Sequence, residues 1–244
     1  MSRNAKISSR TPRRQFIGEL ATTAAALAAA ACAPAAAASG AGDQAPTPTR
    51  RPLAAVSTTW DASWMAKITA KHKAVFDAPE IGDGVALYHA HGYLRAVKDV
   101  FGTGDDDASV VVVLRHTAVP MLFNDAMWAK YEIGKETKTT DFRTKKVVTR
   151  NIFWQSLDAQ GNPVPDTRQT ATIKSLSSRG VIFLGCDLAT RGFSYTLGRK
   201  TKQESDAVYQ ELRENLVPGA ILMPTGIFAT LLAQEAGCAF MKSS

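Results

Sequence analysis

Four consecutive valines, between Ser109 and Leu114, constrain the fold of this chain more than any other feature. A strand with one face in water alternates apolar and polar residues. A continuous run of β-branched residues is instead typical of a strand buried on both faces, which occurs in parallel sheets covered by helices. The run therefore predicts an α/β fold.

Short apolar runs alternate along the rest of the chain with segments whose apolar residues recur at helical spacing. The predicted strands lie at 73–77, 109–114, 181–185, 220–223 and 239–242. The predicted helices lie at 85–101, near 119–133, and at 170–179, 187–197, 205–216 and 226–235. Strands that alternate with helices predict a parallel sheet with helices on both of its faces.

The N-terminus has the composition of an export signal. Residues 1–14 carry five basic side chains and no acidic one, and they include the pair Arg13-Arg14. An alanine-dominated stretch follows up to Ala38. This order of charged, apolar and small residues is typical of a targeting peptide, and the arginine pair is of the twin-arginine type. We predict export to the periplasm, with no stable membrane span because the apolar stretch is weak.

The signal divides the chain into a signal peptide at 1–38, a linker and N-terminal extension at 39–70, and one α/β domain at 71–244. Without the signal's five basic residues and one acidic residue, the formal net charge falls from +7 to +3. The positive charge of the whole chain is therefore no indication of a nucleic-acid partner. Cys32, which follows a run of alanines, leaves lipid anchoring as a lesser alternative.

The carboxyl ends of parallel strands meet at one edge of the sheet, where open α/β folds bind their ligands. Cys186 lies between a predicted strand and a predicted helix. A helix N-terminus favours negative charge, and the thiolate is the nucleophilic form of cysteine. The alternative is a small buried side chain that only closes the strand, since free cysteine is often buried. The sequence leaves both interpretations open.

His116 follows the valine strand, so it belongs to the same edge. It is either a proton donor near neutral pH or a loop histidine bonded to the backbone. Cys238 precedes the last strand and is expected at the opposite edge, too far from Cys186 for a disulfide. His89 and His91 are two positions apart and face different sides of their helix. We therefore predict no metal site.

Motifs for phosphate binding and for a nucleophilic serine are absent, so we predict no cofactor and find no support for a serine hydrolase. Residues 134–166 make an unusually long connection for an α/β fold, and the part from Lys135 to Arg150 is rich in basic residues. This segment, which we call the excursion, either meets an anion or an acidic partner or forms a solvated loop.

Three segments together resemble the DsrE/DsrF-like sulfur-relay family. They are the valine strand that leads to His116, the stretch Gly180–Gly192 around Cys186, and the run Leu216-Val-Pro-Gly-Ala-Ile-Leu-Met-Pro-Thr-Gly226. The stretch Gln234–Met241 is similar to that family's last strand. The resemblance covers about residues 73–242, and the excursion is its least typical part.

The resemblance implies a three-layer α/β/α domain with a five-stranded parallel sheet in the order 4-3-2-1-5, assembled as a trimer or hexamer. In the family's active relays, a cysteine that matches Cys186 carries persulfide sulfur between proteins. A sulfur-carrier or redox protein is therefore the implied partner. The well-understood relays are cytoplasmic, so the export signal of this chain leaves the identity of its partners open.

Our leading hypothesis is an exported protein that binds or relays sulfane sulfur through Cys186. Arg191 and the helix N-terminus would stabilise the charge on sulfur, and His116 would move a proton. The alternative is a non-catalytic module of the same fold that holds a small ligand or a protein partner.

Overall fold

The computed structural model describes residues 60–141, 144–158, 160–166 and 171–244. The predicted signal peptide, including Cys32, lies outside the described residues, as does most of the predicted linker. The described part contains no helix with both the length and the hydropathy needed to cross a bilayer.

Five strands form one sheet, and every pair of neighbours is parallel. The strands are β1 (His72–Ala78), β2 (Ala108–Leu114), β3 (Ile182–Cys186), β4 (Ile221–Met223) and β5 (Ala239–Lys242). Their order is β4-β3-β2-β1-β5. This confirms the five-stranded parallel sheet and its predicted order. The valine strand is β2, which is central and buried on both faces as its sequence indicates.

Seven α-helices and several short 3-10 helices connect the strands within the described residues. The α-helices are α1 (Val85–Phe101), α2 (Asp125–Lys130), α3 (Ile133–Glu136), α4 (Ile173–Ser178), α5 (Asp187–Thr201), α6 (Ser205–Glu214) and α7 (Gly226–Glu235). The 3-10 helices are Ser63–Lys67, Gly82–Gly84, Asp105–Asp107 and His116–Leu122.

The single helix predicted near 119–133 is wrong, because the chain forms three short elements there. Pro120 lies inside the 3-10 helix His116–Leu122, and it has no N–H to donate. Asn124 is extended and caps α2 by accepting a hydrogen bond from the Met127 N–H. Glu132 then takes a left-handed conformation between α2 and α3. Local capping and backbone geometry therefore override the helical spacing of the apolar residues.

The two faces of the sheet carry separate hydrophobic cores, which makes the domain three-layered. The larger core packs α1, α2, α4, α5 and α6 against alternate residues of the central strands, such as Val112 and Phe183. The smaller core packs α7 against the opposite face, at Val111, Val113 and Leu184. Because side chains of successive strand residues point to opposite faces, the valine run supplies both cores at once.

Part of the predicted N-terminal extension belongs to the smaller core. Trp64 lies in the 3-10 helix Ser63–Lys67 and is fully buried, and Ile68 is buried close by. Both pack in the core that α7 covers. The hydrophobic core of the domain therefore begins before the predicted boundary at residue 71.

A charged cluster joins α1 to two loops at the amino edge of the sheet. Arg179, which follows α4, donates two hydrogen bonds to the Asp105 carboxylate, at 2.9 and 2.8 Å. The His91 ring on α1 lies 3.3 Å from the same guanidinium. Burial and the nearby Arg179 charge lower the pKa of His91 from its ordinary 6.5. The folded protein therefore favours neutral His91.

The lowered pKa of His91 predicts a loss of stability in mild acid. The folded state binds fewer protons at this site than the unfolded chain, so the contribution is complete above pH 6.5 and is lost as pH falls towards the folded pKa. We expect an NMR titration of His91 to give a midpoint below 6.5. Chemical denaturation of His91→Gln should show a smaller pH dependence over this range. A His91 midpoint at or above 6.5 would contradict the assignment.

Candidate functional site

A cleft of about 1040 Å³ opens at the carboxyl edge of the sheet. Its walls come from the segments that follow β1, β2 and β4, from the first half of α5, and from the start of the excursion. The ionisable side chains that line it are Glu80, Arg115, His116, Glu136, Lys138 and Cys186. The strand ends that the sequence singled out therefore meet at one site, as expected for an open parallel sheet.

Cys186 is the last residue of β3 and the N-cap of α5. Its Sγ accepts a hydrogen bond from the Ala189 N–H at 3.3 Å, within the first turn of the helix. The residue is 6 % exposed and lines the cleft. The sulfur is thus sheltered, but it borders a space that a ligand can enter. The N-terminus of α5 and the Ala189 N–H are therefore the polar backbone groups next to the sulfur.

Arg115, the residue after β2, forms a bidentate ion pair with Asp77 of β1. Its Nε donates to Asp77 Oδ1 at 2.6 Å, and its Nη2 donates to Asp77 Oδ2 at 2.7 Å. Asp77 is buried, while Arg115 is half-buried and lines the cleft. The hydrogen bonds and charge of Asp77, with a further contribution from Cys186, raise the pKa of Arg115 above its ordinary value. The guanidinium is therefore a permanent cation held in one orientation.

Helix α7 begins against Arg115 at Gly226. A Cβ at this glycine would lie only 2.5 Å from the Arg115 Cβ, so any larger residue would force the two segments apart. Thr225 caps the helix by accepting a hydrogen bond from the Phe228 N–H at 3.1 Å. The absence of a side chain at Gly226 lets the N-terminus of α7 border the same cleft as Cys186 and Arg115.

His116 lies on the wall of the cleft, in the left-handed region with a φ of 47°. Its side chain is exposed and makes no hydrogen bond or ion pair with any other described residue. The alternative in which this histidine is bonded to the backbone therefore finds no support. The imidazole is therefore accessible to a ligand in the cleft.

Arg191 does not line the cleft, so its position gives no support to the role predicted for it. Its Nε donates to Asp187 Oδ2 at 3.2 Å, and its guanidinium stacks on the Tyr209 ring at 3.9 Å. Asp187 is buried and also accepts a hydrogen bond from the Tyr209 hydroxyl at 2.7 Å. Residues four positions apart in a helix lie on the same face, so the Arg191 side chain lies next to Asp187 and not next to Cys186.

The excursion reaches the cleft through Thr137 and Lys138. Lys138 is exposed, and Glu136 at the end of α3 pairs with Lys200 of α5 at 3.3 Å. Lys145 and Arg150 line a second cleft of about 700 Å³ instead. Lys138 on the one hand, and Lys145 and Arg150 on the other, therefore line two different clefts.

Cys238 is a buried packing residue at the opposite edge of the sheet. It follows α7, precedes β5 and belongs to the smaller core. Burial raises the pKa of its thiol, which disfavours the reactive thiolate. Cys186 and Cys238 are both free cysteines, in agreement with the prediction that they do not pair.

No role for Asp77, Arg115 or Thr225 followed from the sequence. The sequence does contain one signal that points to Asp77. An acidic residue ends the apolar run Ala74-Val75-Phe76 in a strand that is buried on both faces. A carboxylate in such a place needs a cationic partner, and the strand ends offer Arg115.

No protein-family model and no curated protein matches this chain. Among solved structures, the chain is similar to a protein of unknown function, MTH1491, from Methanobacterium thermoautotrophicum. The two are 13 % identical with a TM-score of 0.35, and the match covers 70 % of this chain and 98 % of that one. A likeness at this level carries no functional argument, so the fold rests on the sheet itself and the function on the site.

Proposed function

We propose that this chain is an exported, DsrE-like protein that accepts sulfane sulfur on Cys186 and passes it to a thiol acceptor. The observation that carries the proposal is the position of the Cys186 sulfur, which caps a 15-residue helix and borders a cleft lined by Arg115 and His116. The five-stranded order 4-3-2-1-5 supports the family resemblance. The N-terminal composition supports export.

The chemistry needs only a thiolate and a persulfide donor. The Cys186 thiolate attacks the outer sulfur of the donor R–S–SH, so that one S–S bond forms while the donor's S–S bond breaks. The products are Cys186–S–SH and the thiolate R–S⁻. An acceptor thiolate then attacks the outer sulfur of Cys186–S–SH and regenerates the Cys186 thiolate. The exposed His116 imidazole takes the Cys186 proton before the first step and returns it to the leaving thiolate.

Mass spectrometry of the native protein tests the proposal directly. After treatment with polysulfide or thiosulfate under non-reducing conditions, we expect an adduct of about 32 Da, one sulfur atom, on the Cys186 peptide. The adduct should disappear on treatment with dithiothreitol. It should persist in Cys238→Ser and be absent at this position in Cys186→Ser. Wild-type protein that gains no sulfur on Cys186 would refute the relay.

A ligand-binding module is the second candidate, and the size of the cleft favours it. At about 1040 Å³, the cleft is far larger than one sulfur atom requires and lies at the upper end of small-molecule sites. Apolar side chains line much of it, namely Ile81, Pro120, Leu188, Phe193 and Ile227. A protein that binds a small molecule with unchanged affinity in Cys186→Ser would belong to this class.

Exposed apolar side chains support the oligomer that the resemblance implies. Ile227, Phe228 and Leu231 on α7 are all exposed, as is Leu188 near the start of α5. Phe240 on the edge strand β5 is also about half exposed. Exposed apolar side chains that are neighbours on one helix face, such as Ile227 and Leu231, are typical of protein–protein contacts.

A further inference from the structure

Arg115 and Cys186 are neighbours across two paired strands. The register of β2 and β3 ends at the pair Leu114–Gly185, and the next residue on each strand is Arg115 and Cys186. Both of these residues are extended. Adjacent strands lie about 4.8 Å apart, and residues in register point to the same face. Arg115 is therefore the charged side chain that begins beside the Cys186 sulfur.

Asp77 fixes the guanidinium without using all of its donors. It occupies Nε and Nη2, so the Nη1 group makes no hydrogen bond with any described residue. Asp77 lies on β1, which β2 separates from the strand that carries Cys186. The backbone of Arg115 is thus one strand closer to Cys186 than that of Asp77, and the guanidinium keeps N–H donors for a ligand.

The N-terminus of α7 also borders this part of the cleft. The aliphatic stem of Arg115 lies against Gly226, the first residue of the helix, and helix N-termini carry a partial positive charge that anions stabilise. Lys138 adds a second cation to the wall of the cleft. The acids on the wall are Glu80, which is exposed, and Glu136, which is paired with Lys200. An anionic ligand beside Cys186 would lie near Arg115, Lys138 and the N-terminus of α7, all of which favour negative charge.

We infer that Arg115, oriented by Asp77, determines specificity and selects anionic sulfur donors over neutral ones. The substrate class comprises thiosulfate and low-molecular-weight persulfides that bear a carboxylate, with the anionic group bound by Nη1 and the N-terminus of α7 while the sulfane sulfur meets Cys186. This inference rests on the proposed function of Cys186. Arg115 acts on the charge of the donor and leaves the identity of the nucleophile unchanged.

Two alkylating reagents of similar size measure this selectivity without any sulfur transfer. The Cys186 thiolate displaces iodide from either iodoacetate, which is anionic, or iodoacetamide, which is neutral. The ratio of the two rate constants, measured at the Cys186 peptide of the native full chain, reports the preference for an anion. The same ratio in denaturant gives the reference value for an unstructured cysteine.

The decisive variant is the double substitution Asp77→Asn with Arg115→Gln. It removes one charge of each sign, so the net charge is unchanged and no buried carboxylate is left unpaired. We expect the iodoacetate-to-iodoacetamide ratio to fall about fivefold relative to wild type, as one nearby cation in a partly screened site implies. Arg115→Lys should retain part of the preference for iodoacetate, because it keeps the positive charge but loses the planar set of N–H donors. Arg191→Gln, outside the cleft, is the matched control and should leave the ratio unchanged.

An unchanged ratio in the double variant would overturn the inference, as would an equal fall in Arg191→Gln. A Cys186 that reacts with neither reagent in the native protein would also overturn it, because the site would then be closed to small molecules. A different result would contradict the proposed function alone. The selectivity for iodoacetate would then be present and depend on Arg115, but polysulfide and thiosulfate would leave no sulfur on Cys186.

Discussion

Replacement of Asn151 by alanine is expected to lower the free energy of unfolding by about 3 kcal/mol or more. Asn151 is fully buried in the excursion. Its Nδ2 donates to the carbonyl oxygens of Met121 and Phe123, at 2.7 and 2.8 Å, and its Oδ1 accepts from the Phe153 N–H at 3.0 Å. Alanine leaves all three backbone groups without this partner, and each buried unsatisfied group costs about 1–3 kcal/mol.

The same side chain attaches the excursion to the segment between β2 and α2. Asn151→Ala should therefore also expose the excursion to protease, with faster tryptic cleavage after Lys145 and Lys146. Thermal denaturation should show a midpoint lower by roughly 6–12 °C. Asn162→Ala is the control, since Asn162 is exposed in the same segment and, among the described residues, its side chain bonds to Asp158 alone. Equal stability of the two variants would show that Asn151 does not hold the excursion in place.

Replacement of Gly134 by alanine should also lower the free energy of unfolding by roughly 3 kcal/mol, because the added methyl group overpacks the site. Gly134 lies in α3, and a Cβ there would fall 2.0 Å from the Val148 carbonyl oxygen and 3.0 Å from its carbon. The obstacle is backbone, so rotation of a side chain cannot relieve it. The strand-like segment around Val148 would have to move off α3, and Val148 itself is buried in the larger core.

Gly92→Ala is the matched control for this effect. Gly92 lies in the middle of α1, is exposed, and has no neighbouring atom within 4 Å of the position of an added Cβ. Alanine there should raise the free energy of unfolding by about 0.5–1 kcal/mol, because it is the better helix former. Thermal denaturation of both variants should thus give shifts of opposite sign. A Gly134→Ala protein as stable as wild type would contradict the close packing of α3 on the excursion.

Much of the candidate site could be located from the sequence, because strand ends in a parallel sheet share one edge. The ends of β2, β3 and β4 do meet around one cleft, and Cys186 and His116 both line it. The position of Arg191 outside the cleft could not be predicted, because helical spacing places a residue on a face but does not reveal its partner. The buried Asp187 and the Tyr209 ring of a later helix hold that guanidinium away from the cleft.

The ion pair between Asp77 and Arg115 could not be predicted from the sequence for a related reason. Asp77 and Arg115 are separated by 38 positions, and only the pairing of β1 with β2 brings them together. The excursion is a similar case. Its basic composition predicts an exposed surface, yet its attachment depends on one buried amide, Asn151, whose partners lie 28 and 30 residues away.

By itself, the sequence determined the order of the five strands and of the longer helices between them, the buried character of β2, and the edge of the sheet where the candidate site lies. These follow from local hydrophobic periodicity, which acts over a few residues. Only the tertiary structure decided that Arg115 and not Arg191 stands beside Cys186, and that the excursion packs on α3. Such contacts join residues far apart in the chain, and their energies depend on burial and distance, which no local pattern encodes.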